Sequence, residues 1–400
     1  MKPIRVTWDA MPEPKVTRPM LSLALLVLAA GAAAPAARAA DLAPRQGWRI
    51  RVDPGRVAAS VDAPGAARIP GLAGDAGGAP WPAAAGAAAA RGEVWVAFEL
   101  PEPRAAAVLL VVEVEVEGDT PVPVALHGVG KGGKLDEVER RALGPNRKNK
   151  RRGPRIAHLT VPAGKHRGVR VALGAEGAPA PRIERLRAYA LDPRGRDDYW
   201  LFLGASLTTG AIDPDAFAAE VARRYPGYDP YCANEAVSGG TAGSLRKALP
   251  EILAEHPHAR YVAIHIGGND VSGQRPYPGG ADRLRADIEA ILRAIREAGK
   301  VPILARLTYR SYKASGGKPG VPPEENGSGP YNTAVHDPLI REHCPDFFDR
   351  KTGRGVVDLY AWFRDHQDEI GGDGIHLTAA GSKSFRRLFV ELAGGVVYGR

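Results

Sequence analysis

The chain has 400 residues, about a quarter of them charged, and an apolar fraction dominated by Ala and Val; this excludes a disordered or fibrous polypeptide and leaves room for two globular domains. The net charge of +9 does not indicate a nucleic-acid partner, because much of the excess lies in one Gly- and Pro-flanked cluster, Arg147, Lys148, Lys150, Arg151, Arg152 and Arg155. No zinc-finger, basic-zipper or aromatic-rich RNA-binding pattern accompanies that cluster, which reads as a solvated loop or as a contact to an anionic surface.

At the start of the chain, Lys15 and Arg18 precede an apolar run from Met20 to Ala30, and Ala37-Arg38-Ala39 forms a small-x-small cleavage pattern. Residues 1–39 therefore read as a secretory signal peptide and the protein as secreted or periplasmic. The apolar core falls short of the ~20 residues that cross a bilayer, so no integral span is expected after cleavage. Export leaves Cys232 and Cys344 free either to pair or to remain buried thiols.

Residues 45–193 carry the pattern of a β-sandwich, jelly-roll-like domain and a candidate carbohydrate-binding module. Val112, Val114 and Val116 alternate with Glu113, Glu115 and Glu117, the period of a strand with one wet face, and similar short runs recur between Gly- and Pro-rich turns. From 198 to 398 strand-like and helix-like runs alternate: Trp200–Leu203, Asp215–Arg224, Tyr261–Ile266, Ala281–Ala298, Val301–Leu307, Tyr331–Glu342, Val356–Leu359 and Thr378–Leu392. That alternation predicts an α/β fold, a parallel sheet between two helical layers. Leu284, Ile288, Ile291, Leu292 and Ile295 form one helical stripe, closed by Gly299, and Thr378 is a good N-cap for the last helix.

Four short stretches carry chemistry. Ser206, within Gly204-Ala205-Ser206-Leu207-Thr208-Thr209-Gly210, follows the first strand of the α/β region, at the sheet edge where open α/β folds bind ligands. Asn234 to Gly243 is Gly-rich around Gly239 and can present a backbone amide to an anion, but it lacks the Lys and hydroxyl spacing of a P-loop. Asn269, in Gly267-Gly268-Asn269-Asp270, can aim its amide into a cleft, although an Asx turn would explain it alone. Asp373, three residues ahead of His376, can orient the imidazole toward a nucleophile. A metal reading of this Asp-x-x-His lacks a second ligand pair, and no cofactor is expected. His256, His258 and His265 read as surface or strand residues, and Trp362 as packing.

In this order, Ser, Gly, Asn and His are the blocks of the SGNH (GDSL-type) hydrolases, which the chain resembles from about Tyr199 to Val397. The resemblance implies Ser206 as nucleophile, His376 as general base and then acid, and Asp373 as its orienting partner. It also implies an oxyanion hole from the backbone amides of Ser206 and Gly239 and the side chain of Asn269. Ala205 stands where the family usually has Asp, which puts local support of the turn in doubt more than the triad. The two-domain layout is similar to bacterial carbohydrate esterases, so the expected substrate is an O-acyl, foremost O-acetyl, ester on a polysaccharide, or a small ester. A lipase or lysophospholipase, a glycan O-acetyltransferase and a non-catalytic glycan-binding protein are the alternatives.

Overall fold

Strand β4 (Val108–Glu115) shows how the N-terminal β-rich region is built and attached. Val108, Leu110, Val112 and Val114 point one way, into a core shared with Val124 and Leu126 and with Val169, Val171 and Leu173. Leu109 and Val111 point the other way and join the apolar cluster of Tyr189, Leu191, Tyr199 and Trp200. At Glu113 the expected wet face is therefore covered. Glu113 lies in an ion-pair chain in which Arg187 donates to it at 3.1 Å and to Asp215 at 2.5 Å, with the Arg187 side chain only 9% exposed.

The computed structural model describes residues 49–50, 57–59, 94–99, 107–115, 121–129, 135–143, 155–164, 166, 168–174, 181–271, 280–310 and 328–399. The expected signal peptide, the basic residues 147–152 and residues 311–327 lie outside them. The other N-terminal strands are β1 (Arg49–Ile50), β2 (Val57–Ala59), β3 (Val94–Glu99), β5 (Val122–Val129), β6 (Leu135–Leu143), β7 (Arg155–Val161), β8 (Gly168–Leu173) and β9 (Arg182–Ala190). They form two antiparallel sheets, ordered β1-β9-β4-β7 and β2-β3-β8-β5-β6, which share the core just described.

The α/β region follows as β10 (Tyr199–Gly204), α1 (Ser206–Ala211), α2 (Pro214–Arg224), β11 (Tyr231–Asn234), α3 (Ala242–Glu255), β12 (Tyr261–His265), α4 (Gly280–Glu297) and β13 (Val301–Leu304). After it come α5 (Gly329–Tyr331) and α6 (Asp337–His343), joined by a π-helical turn, Asn332–His336. The β14 (Phe348–Asp349) and β15 (Arg354–Gly355) hairpin, α7 (Leu359–Asp365), α8 (Ala379–Leu388), a second π-helical turn at Phe389–Ala393 and α9 (Gly394–Tyr398) complete it. Four strands pair in parallel in the order β11-β10-β12-β13, and every residue of β10 is buried, as a central parallel strand requires. Connections leave β10 and β12 in opposite directions, so the crevice at their carboxyl ends is the topological switch point.

The expected strand at Val356–Leu359 does not form. Val357 instead accepts one backbone bond from Arg306, and Asp358 turns the chain by capping α7 at Ala361. A run that short carries no period, and the carboxylate among its apolar residues is a cap rather than a strand residue. Among the described residues no helix is long and apolar enough to cross a membrane.

Candidate active site

Three carboxyl ends of the sheet meet at the switch point. Gly204 ends β10, and a Cβ there would lie 2.6 Å from the His265 carbonyl oxygen and would also strike Thr208, so only glycine lets the chain turn so closely past β12. Ser206 then opens α1. Its N-cap is Ala205, which offers no side-chain bond, so the first amides of α1 are left to backbone or ligand partners. Asn234 steadies this helix from β11, donating to the carbonyls of Thr208 (3.1 Å) and Ile212 (2.8 Å).

Far along the chain, residues 370–378 form a tight reversal. Ile370 bridges Leu377, the Gly371 amide donates to the His376 carbonyl, and Gly374 turns at φ 69°. Inside it Asp373 Oδ1 accepts the amides of Ile375 and His376, both at 2.9 Å, and Oδ2 accepts from His376 Nδ1 at 2.6 Å. Burial alone would raise the Asp373 carboxyl, but the bonds from His376 and the two amides outweigh it and hold the group at about 2. With Nδ1 engaged, His376 Nε2 faces Ser206, whose hydroxyl donates to it at 3.1 Å. The three residues thus lie on one hydrogen-bonded line. Helix α8 begins just beyond it, where Thr378 accepts from the Gly381 amide, and Arg386 of α8 donates to the Ala211 carbonyl that ends α1.

The loops after β11 and β12 are joined in the same way. Gly239 adopts φ 79°, and the Val237 amide donates back to the Gly204 carbonyl. Asn269 does not make only a local Asx turn: its side-chain amide donates to the Gly240 carbonyl at 2.8 Å, which leaves its second N–H for another acceptor. Asp270, which no motif in the sequence singles out, accepts the Ala242 amide with both oxygens (3.1 and 3.2 Å) and so caps α3 from the β12 side; burial pushes its carboxyl up to about 6 against that bond.

Elsewhere, His265 is a buried strand residue, and burial holds its imidazole down at about 3. His256 is neither a surface nor a strand residue: it is the buried C-cap of α3, between the Tyr199 hydroxyl and Glu235. Trp362 packs, stacked on His366 and donating to Glu369. Cys232 and Cys344 are separate buried thiols. Among the described residues two clusters could hold a metal ion, Glu235 with Glu255 and His256, and Glu289 with Glu342 and His343; neither includes a residue of the Ser206 line.

Residues 202–383 match the sequence profile of the GDSL-like lipase/acylhydrolase family. A comparison with curated protein sequences finds no match. Among solved structures, an acetylxylan esterase from Geobacillus stearothermophilus, studied as a catalytic mutant, is 20% identical with a TM-score of 0.39, covering 49% of this chain and 94% of its own. An esterase from Pseudoalteromonas sp. is 16% identical with a TM-score of 0.36, covering 50% and 97%. A protein from Bacillus subtilis is 14% identical with a TM-score of 0.41, covering 75% and 80%. The α/β region of this chain is thus a GDSL-like lipase/acylhydrolase domain, and its enzyme class is that of the carboxylic ester hydrolases.

Proposed function

We propose that this protein is an exported esterase that removes O-acyl groups, foremost O-acetyl, from a polysaccharide, with Ser206, His376 and Asp373 as its triad. The observation that carries this reading is the continuous line from Ser206 Oγ through His376 to Asp373. An unassisted hydroxyl is a poor nucleophile, and an imidazole held by a carboxylate supplies the missing base. Ser206 Oγ attacks the ester carbonyl carbon as its proton passes to His376 Nε2. The tetrahedral oxyanion collapses, the C–O bond to the sugar breaks, and the leaving oxygen takes that proton. Water then adds to the acyl-serine, giving a proton to His376, and the carboxylic acid departs as Ser206 is reprotonated. The amides of Ser206 and Gly239 and the Asn269 side chain stabilise both oxyanions.

The line is open to solvent: the side chains of Asp373 and His376 are 52% and 56% exposed, which suits an ester on a bulky polymer better than a buried acyl chain. Residues 1–39 direct export and the β-sandwich engages the glycan in this reading. Acetate release from a panel of acetylated glycans, with Ser206→Ala as control and fluorophosphonate labelling of Ser206, tests it. Equal release by the variant would end the triad assignment. A rate that rises with acyl length on p-nitrophenyl esters would move the substrate to lipids.

A further inference from the structure

Six residues beyond β13, Arg310 donates to the carbonyl of Gly268, the residue before Asn269. The contact is close enough that a Cβ on Gly268 would stand 2.8 Å from the guanidinium. Through Gly268, Arg310 sits one residue from the amide that reaches Gly240, on the same carboxyl edge as Ser206.

Two other guanidiniums with little exposure are each placed between carboxylates. Arg306, four residues earlier on the same segment, lies between Asp337 (3.1 Å) and Asp358 (2.5 Å), and Arg187 lies between Glu113 and Asp215. Arg310 has only a neutral carbonyl, with no carboxylate within ion-pair distance among the described residues. Burial without a counter-charge pulls its pKa below the ordinary value. A part-buried cation with a neutral partner gains when an anion arrives beside it.

We propose that Arg310 binds a carboxylate carried by the substrate beside the scissile ester, which makes the preferred substrate an acidic one, such as an acetylated uronic acid unit. The planar guanidinium fork matches a carboxylate, and Arg310 keeps donors beyond the one used on Gly268. This inference rests on the esterase reading above and narrows its substrate.

The test compares kcat/KM on matched esters: acetylated glucuronic acid against acetylated glucose places the charge on the alcohol side, and p-nitrophenyl hemisuccinate against p-nitrophenyl acetate places it on the acyl side. Wild type is expected to favour the acid in at least one pair by on the order of 10- to 100-fold. Arg310→Gln is expected to abolish that preference, read as the acid-to-neutral ratio of kcat/KM within each pair, and Arg310→Lys to keep part of it. A wild-type measurement needs no variant: glucuronate should inhibit neutral-ester hydrolysis more strongly than glucose does, and less so at high salt. No acid preference in wild type, or equal slowing of charged and neutral esters in Arg310→Gln, would overturn the proposal and leave Arg310 a support of the Asn269 loop. Loss of the esterase reading would show separately, as neutral-ester turnover that persists in Ser206→Ala.

Discussion

Asn269 and Gly240 are joined by a 2.8 Å bond from side-chain amide to carbonyl, so the loops that follow β12 and β11 are positioned as one unit beside Ser206. In the proposed mechanism this one amide group has two tasks, holding Gly240 in place and donating to the oxyanion. Asn269→Ala removes both, and the loss of one oxyanion donor alone costs about 100- to 1,000-fold in kcat. The expected result is a fall at least that large, with a loss of stability of only about 1 kcal/mol because the broken bond is part-exposed. Steady-state kinetics and urea unfolding of the variant measure both, and near-normal kcat would remove Asn269 from the hole.

Asp373, held at about 2 by His376 and two backbone amides, is ionised throughout the range above that value. The activity profile of wild type should therefore show no carboxylate inflection near the ordinary value of 3.8. Asp373→Asn keeps an acceptor for the two amides but removes the charge that stabilises an imidazolium, and kcat is expected to drop about 100- to 10,000-fold. A kcat/KM profile across the acid range, with the variant as comparison, reads both effects.

Much of this site was legible because its parts are local. Asp373 and His376 lie three residues apart in one turn, and Gly204 and Ser206 flank the end of a continuous apolar strand. The stripe from Leu284 to Ile295 is likewise a periodic signal that a helix turns into a buried face. What escaped is what distant segments do to one another. Asp270 caps a helix that starts 28 residues earlier, and Glu113 meets Arg187 across 74. The alternation of Val and Glu in β4 did locate its two faces, but period two cannot say that Glu113 will be joined through Arg187 to Asp215 of α2.

That link makes Arg187 a test of how the β-sandwich is attached. Its guanidinium is nearly buried between Glu113, 15% exposed, and Asp215, 53% exposed. Arg187→Ala takes a close cation from the Glu113 carboxylate in a place with little water, and breaking such a pair is expected to destabilise the fold by about 2–4 kcal/mol, somewhat below a fully buried pair because Asp215 stays hydrated. Glu113→Gln together with Arg187→Met removes both buried charges and should recover most of the loss. Thermal or urea unfolding of the set decides it, and no difference between wild type and Arg187→Ala would mean that the ion-pair chain is incidental.

Asp198 should give the stability a dependence on pH opposite to that of the buried histidines. Burial pushes its carboxyl up to about 7, against bonds from the Tyr398 hydroxyl and the Trp200 indole. The folded value lies above the ordinary 3.8, so ionising the native state is disfavoured, and this group makes stability fall as pH rises from about 4 to about 7. His265 and His336, held down at about 3 and about 4, do the reverse: their contribution is complete above 6.5 and is lost as pH falls toward those values. Asp198→Asn cancels the first contribution and leaves the second. Relative to wild type, the variant should gain stability with rising pH by on the order of 2–4 kcal/mol across that window. Its absolute stability matters less than this slope, since an amide at Asp198 leaves buried N–H groups to satisfy and lowers stability at every pH. Urea unfolding of both proteins at about pH 5 and about pH 8 measures the slope, and parallel curves would show that the Asp198 carboxyl is ionised in the native state throughout.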